Sequence, residues 1–351
     1  IRNADIQYMG CDYLAELTLS IMAKQQLKDP SKGFAPDFVT RILKEAGKEA
    51  RQQKIRICTN AGGMNITGCV DAIKNWAEGA GMSGYKIGYV TGDSIKEKIP
   101  QLLKEGWTFP NFDYDGDFNS IVDKIYNCNA YIGHEGIEGC LAEGADVVIT
   151  GRAADSALFL APLKYEFGWA ADDWDNLARG IMAGHLLECG GQGAGGNYMY
   201  DWRNVPRMDE LGFPIAELTE DTMDITKAPD CGGIICEQSV KEQFLYEVHD
   251  PANYWTPDVN VDISHATLTQ TGPDRVRVGG IKGKPRPDTI KLCVGYHKGW
   301  KTVSMLSFAW PDAYEKAQYC AEIIMKKMHR RGMKADDVHI SYIGLNSLHL
   351  G

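Results

Sequence analysis

The sequence predicts an α/β fold: a mostly parallel sheet with flanking helices in the first half, followed by an α+β second half. Short β-rich runs alternate with helical patterns as far as residue 166, and each run ends in small or polar residues. Beyond about residue 200 the segments shorten, turn residues become denser and β-branched residues more frequent. Strands alternating with helices belong to parallel sheets, whereas short strands between dense turns suit antiparallel ones.

Each element follows from local chemistry. A strand over 6–9 passes through Gly10-Cys11-Asp12 into a helix over 13–28, and one over 54–58 passes through Thr59-Asn60-Ala61-Gly62-Gly63 into a helix over 66–79. Strand 85–90 leads through Thr91-Gly92-Asp93 into 94–105, and 131–132 leads through Gly133-His134 into 135–143. Strand 147–149 leads through Thr150-Gly151-Arg152 into 155–166. Asp12, Asp93 and Asp155 stand where N-caps belong, facing the free amides of a first helical turn. In the second half, 274–278 and 289–294 alternate as strands and 312–331 is helical. The grammar divides the chain into 1–205, an α/β domain with a ligand cleft at the strand ends, and 206–351, an α+β domain. Ligands of open α/β sheets bind outside the carboxyl ends of the strands, so every turn of the first half falls on one functional edge.

Composition narrows the function classes. The 351 residues carry a net charge of −10 and no long basic run, which argues against nucleic acid as a partner. A few local arginines and amides still suffice for an anionic substrate. Ten cysteines without a Cys-x-x-Cys pair read as reduced thiols of an intracellular protein. No apolar run reaches the length of a membrane span. A chain beginning at Ile1 reads as part of a longer one, with any targeting peptide out of view.

The stretch richest in chemistry is Gly184-His-Leu-Leu-Glu-Cys-Gly-Gly-Gln-Gly-Ala-Gly-Gly196. His185, Glu188 and Cys189 share one helix face. The glycines after them, Gly190 and Gly191 first, allow close backbone approach to a ligand or a sharp turn. Cys189 is a poor nucleophile, because a helix C-terminus disfavours a thiolate. His185 and Glu188 are the acid/base candidates, with a satisfied core histidine as the plain alternative.

Other candidates come from the strand ends. Asn60 and the amides of Gly62 and Gly63 suit a carbonyl or anionic group at a helix start, although a tight turn needs the same glycines. The segment fits neither the dinucleotide fingerprint nor the Walker pattern, so no nucleotide cofactor is indicated. Arg152 suits a carboxylate or phosphate, or else an internal acid such as Asp12 or Asp146. Asp155 is its neighbour or a plain cap. Asp12 and Glu16 lie one turn apart and suit a cation or a shared proton, with Glu16 the more readily explained as surface. No set of metal-ligand spacings emerges. Tyr254 and Trp300 suit an apolar lining, and His249 the end of a helix before Pro251.

Taken together, the motifs resemble a known family. Gly10-Cys-Asp-Tyr-Leu-Ala-Glu-Leu-Thr18, Thr59-Asn-Ala-Gly-Gly63, Gly144-Ala-Asp-Val-Val-Ile-Thr-Gly-Arg152 and Gly184-His-Leu-Leu-Glu-Cys-Gly190 resemble the acyclic terpene utilisation family of AtuA type, formerly DUF1446. So do Gly212-Phe-Pro-Ile-Ala216, Tyr246-Glu-Val-His-Asp-Pro251 and Gly272-Pro-Asp-Arg-Val-Arg-Val278, in order along nearly the whole chain. Asn65-Ile66-Thr67 departs from the family's frequent Asn-Pro, and Gly133-His-Glu-Gly136 from an apolar pattern, which separates His134 from any shared role. The resemblance implies a setting among acyl-CoA enzymes that degrade citronellol and geraniol. It also implies a ferredoxin-like C-terminal domain or subunit, before which this chain would be truncated.

The leading reading is therefore a catabolic enzyme of acyclic terpenoid or branched acyl-CoA degradation. It would perform hydratase or lyase chemistry next to an activated carbonyl, on a small-molecule acyl substrate such as an acyl-CoA. His185, Glu188 and Asp12 would move protons, while Asn60, Gly62, Gly63, Arg152, Asp155, Gly190 and Gly191 would bind substrate. Two other readings stay open: a non-catalytic subunit that organises acyl-CoA enzymes, and a metal-dependent hydrolase using Asp12, His185 and Glu188. A homo-oligomer in the cytoplasm or mitochondrial matrix, without membrane or nucleic-acid partners, completes the expectation.

Overall fold

In the computed structural model, which describes residues 1–347, the chain forms two compact units, Ile1–His297 and Lys298–Gly351. The first unit opens with strand β1 (Tyr8–Cys11) and helix α1 (Glu16–Lys28), after which a π-helical turn at Phe38–Leu43 runs into α2 (Lys44–Gln52). Next come β2 (Arg56–Thr59) and α3 (Ile66–Gly79), then β3 (Ile87–Val90) and α4 (Ile99–Lys104). β4 (Ile125–Ala130) and α5 (Glu135–Ala142) precede β5 (Val147–Thr150), α6 (Ala157–Phe167) and α7 (Trp174–Glu188).

β1, β2, β5 and β3 pair in that order, all parallel, with Met9 opposite Ile57 and both Ile57 and Ile87 opposite Val147. Successive side chains of a strand point to opposite faces. Ile57, Val147 and Ile149 accordingly pack with Leu14, Leu19, Phe38 and Ile73, while Cys58 and Val148 pack with Ile137, Leu141 and Leu158. Both faces are covered by helices, as a parallel sheet requires. The predicted alternation thus yields a parallel sheet between helical layers.

Several local expectations are corrected. The strand expected at 131–132 lies earlier, at β4, and pairs antiparallel with β13 (Leu292–Tyr296) instead of joining the parallel sheet. Asn127 and Asn129 hid it, because asparagine is depleted in strands. Here both amides are buried, and they bond to each other at 3.1 Å. None of the three expected aspartate caps is a cap. α1 starts at Glu16 after Ala15, α4 starts at Ile99 after Lys98, and α6 starts at Ala157 after Ser156. The carboxylates of Asp12, Asp93 and Asp155 are engaged elsewhere, at the sheet edge.

The rest of the first unit is α+β, as expected. It contains β6 (Pro214–Leu218), β7 (Met223–Lys227), α8 (Glu237–Leu245), β8 (Tyr254–Trp255), β9 (Asn260–Asp262), β10 (Thr267–Gly272), β11 (Arg275–Gly279) and β12 (Lys282–Lys284). β10, β11, β7 and β6 form one antiparallel sheet, and β12, β9 and β8 another. α7 is the hub. Its Ile181, Met182 and Leu186 share a core with Met223 and Ile225 of β7, Val276 and Val278 of β11, and Val240 and Phe244 of α8. A helix segment apolar nearly all round must be buried on all sides, and Gly180–Leu186 of α7 is. Its carboxyl end thereby comes to rest beside the parallel sheet.

The second unit holds α9 (Ala313–Arg330), where Tyr314 meets Tyr342 edge-on at 5.1 Å. Among the described residues no helix is long and apolar enough to cross a membrane.

Candidate functional site

Asp12, Asn60, Arg152 and Asp93 each follow the carboxyl end of a strand, in the order of the strands across the sheet. Asn60 is fully buried. Its Nδ2 donates to Asp12 Oδ1 at 2.5 Å, and its Oδ1 accepts the Tyr13 amide at 2.7 Å. Asp12 Oδ1 also accepts the Leu14 amide at 3.0 Å, which closes a turn ahead of α1 in place of a helix cap. Asp93 Oδ2 accepts the Arg152 amide at 2.9 Å and Asn129 Nδ2 at 2.8 Å.

Arg152 has no exposed surface. Its Nε donates to the Ala153 carbonyl at 2.8 Å, Nη1 to the Leu14 carbonyl, and Nη2 to the Ala153 carbonyl and the Asp155 carboxylate. The guanidinium lies 4.5 Å over the Tyr131 ring. Of the two internal acids considered for it, Asp146 pairs with Arg51 instead, and Asp12 acts on Arg152 by charge without a direct bond. Arg152 therefore pins the strand end and the α1 turn together, and most of its donors are engaged within the protein.

α7 delivers the remaining groups. Gly184 makes this approach possible: a Cβ there would stand 2.8 Å from the Ser156 Cα and carbonyl oxygen, so only glycine lets α7 meet the start of α6. The next residue, His185, is buried, with its Nδ1 3.1 Å from Glu188 Oε1. His185 Nε2 is buried and has no hydrogen-bond partner. Such orphans are rare in folded proteins and call for a reason. The imidazole lies against Tyr254 of β8, with ring centroids 5.6 Å apart. Gln243 of α8 donates to the His185 carbonyl at 3.0 Å and accepts from Gln192 at 2.9 Å, which ties the glycine-rich turn to the helix end.

The carboxyl groups of this edge sense one another. Asp155 is pushed up to about 8, by burial first and by the charges of Asp12 and Glu188, although Arg152 pulls the other way. Glu188 is also pushed up, by burial first and then by Asp12 and Glu247, against the pull of His185. Burial, with Glu188, Asp155 and Glu247, holds the Tyr254 phenol protonated. The Cys189 thiol rises to about 11, chiefly by burial and then through Glu188, Glu247 and Asp12, which agrees with its poor prospects as a nucleophile.

Asp12, Asn60, Arg152, Asp155, His185 and Glu188 therefore gather at one edge. The glycines behave differently. The Gly63 amide donates to the Asn60 carbonyl at 3.1 Å, so it closes the turn and is not offered to a ligand. Gly62 packs so tightly that a Cβ would lie 2.6 Å from the Thr150 carbonyl. Gly190 and Gly191 lie in a turn against Phe213 and Leu211, and Gly190 has a positive φ of 57°. Glu16 stands apart, taking hydrogen bonds from Tyr131 at 2.8 Å and Lys291 at 3.4 Å. His134 is engaged with Asp258 at 2.7 Å, and His249 and Trp300 are exposed. Among the described residues no group of three or more His, Cys, Asp and Glu side chains is arranged to hold a metal ion.

Sequence reasoning missed Gln243 and Glu247 and saw Tyr254 only as pocket lining. Glu247 lay within the motif Tyr246-Glu-Val-His-Asp-Pro251, and its positive φ of 59° marks a constrained turn.

No curated protein and no solved structure matches the chain. The family model described as "Acyclic terpene utilisation family protein AtuA" matches residues 1–350, with the motifs that form the strand-end cluster inside it. The chain belongs to the acyclic terpene utilisation family, which is implicated in a catabolic role.

Proposed function

We propose that the strand-end edge is an acid/base active site acting on the carbon next to an activated carbonyl, in hydratase or lyase chemistry on an acyclic terpenoid or branched acyl substrate. The observation that carries this reading is the buried, unpartnered Nε2 of His185, whose Nδ1 is already matched to Glu188. With Glu188 ionised, Nδ1 holds the ring proton and Nε2 keeps its lone pair, which takes a proton from the substrate carbon. Asp155, protonated below about pH 8, is an acid for the returning proton. The Tyr254 phenol, also protonated and lying against His185, is a donor for the developing enolate oxygen.

Hydrogen exchange at carbon tests this directly. Branched acyl-CoA thioesters incubated with the protein in D2O should gain deuterium next to the carbonyl, read by mass spectrometry. His185→Gln should slow exchange by about 100-fold or more, the usual worth of a positioned proton acceptor. Exchange undiminished in His185→Gln in a protein that remains folded would overturn the assignment.

A further inference from the structure

Arg152 stands at the strand-end edge, and its position decides what it does. Arg152 is wholly buried, with donors taken by the Ala153 and Leu14 carbonyls and by Asp155. Its partner Asp155 is the nearest carboxyl, with 32% of its side chain exposed. Asp12 and Glu188 act on Asp155 by charge, and Glu247 acts on Glu188 and Tyr254. Around the buried guanidinium the edge therefore gathers acids, a phenol and an imidazole.

On that acid/base reading of the site, we propose that the reacting group of the substrate is uncharged, a thioester, ketone or amide-like carbonyl, and that the site selects against the corresponding free carboxylate. Two features carry the inference. Arg152 is pre-empted, so an incoming carboxylate must displace Asp155 to find a bidentate partner. The site also contains its own control, since Asp155 touches the guanidinium and its carboxyl is still pushed up to about 8. A second carboxylate without Arg152 as its partner would face the charges of Asp12 and Glu188 with no such relief. A neutral carbonyl avoids this charge cost and still accepts a hydrogen bond from Tyr254 or from protonated Asp155. The sequence left Arg152 between holding an anionic or carbonyl end of a substrate and satisfying an internal acid, and this proposal takes up the second.

A matched pair of probes tests it: 3-methylbut-2-enamide and 3-methylbut-2-enoate, nearly identical in shape and different in charge. Their affinities for the full chain are measured by ligand-observed NMR titration at pH 7 and pH 9, with His185→Ala marking binding at this edge. The wild type should hold the amide at least about tenfold more tightly, since like-charge juxtaposition is costly. The ratio should widen at pH 9 as Asp155 ionises. Asp155→Asn releases Arg152 from its internal acid and should narrow the ratio to about threefold or less. The wild-type ratio decides the matter if that variant does not fold. A carboxylate bound as tightly as the amide, with His185→Ala weakening both, overturns the charge selection alone. Failure of both probes to bind, or binding indifferent to His185→Ala, overturns the site assignment and this inference together.

Discussion

His185 and Glu188 sit one turn apart at the end of α7, Nδ1 to Oε1 at 3.1 Å, and the opposite ring nitrogen has no partner at all. An unmade buried hydrogen bond costs about 1–3 kcal/mol, so this nitrogen is a place where a ligand's polar group would be favoured. The pairing engages one ring nitrogen within α7 and leaves the other facing no partner among the described residues.

The burial of Asp155 beside Asp12 and Glu188, only partly offset by Arg152, gives a pH dependence of stability. An acid whose carboxyl is raised in the folded state binds its proton more tightly there than in the unfolded chain. Its stabilisation is complete below about pH 4, the free carboxylate range. It is lost as pH rises through about 8. Asp155→Asn lacks this titration, so the wild type should lose stability relative to the variant between these limits and no further above them. Urea midpoints at pH 5, 6.5, 8 and 9 check this, and a difference that stays constant with pH would refute the raised carboxyl.

Arg152→Ala should destabilise the protein by about 1–3 kcal/mol, the cost of leaving buried hydrogen-bond acceptors unpaired. The Leu14 and Ala153 carbonyls would lose their donors. Chemical denaturation measures it. A stable variant with unchanged midpoint would mean that water replaces the guanidinium without cost.

Gly184→Ala tests the approach of α7 to α6. Its new methyl would lie 2.8 Å from Ser156 backbone atoms, and backbone cannot step aside as a flexible side chain can. Despite alanine's better helix propensity, a loss of about 1–3 kcal/mol is expected. Deuterium exchange at carbon should fall as well, because His185 and Glu188 would move with the helix.

Cys189 should react sluggishly with iodoacetamide at pH 7.5, its thiol being held near 11. Cys189→Ser should leave the exchange activity within about threefold of wild type, as expected for a residue without a nucleophilic role. Rapid alkylation accompanied by loss of exchange would restore Cys189 as a reactive group.

Some of the site could be read directly from the chain. The i, i+3 spacing of His185 and Glu188 puts them on one face of any helix, and small or polar residues after β-rich runs place Asp12, Asn60 and Arg152 at strand ends. The orientation of those side chains could not be read. An aspartate before a helical pattern looks like a cap whichever way it points, and Asp12, Asp93 and Asp155 all point into the edge instead. β4 escaped because Asn127 and Asn129 read as turn residues until their amides find partners inside the protein.

By itself, then, the sequence determined the alternation of elements, the parallel sheet and which residues stand at its carboxyl edge, because these depend on periodicity and on nearest neighbours. Only the tertiary structure decided that Arg152 is occupied, that His185 Nε2 is orphaned, and that Tyr254, Gln243 and Glu247 belong beside them. Those facts depend on contacts between segments far apart in the chain, where burial and charge, rather than local propensity, set what each group can do.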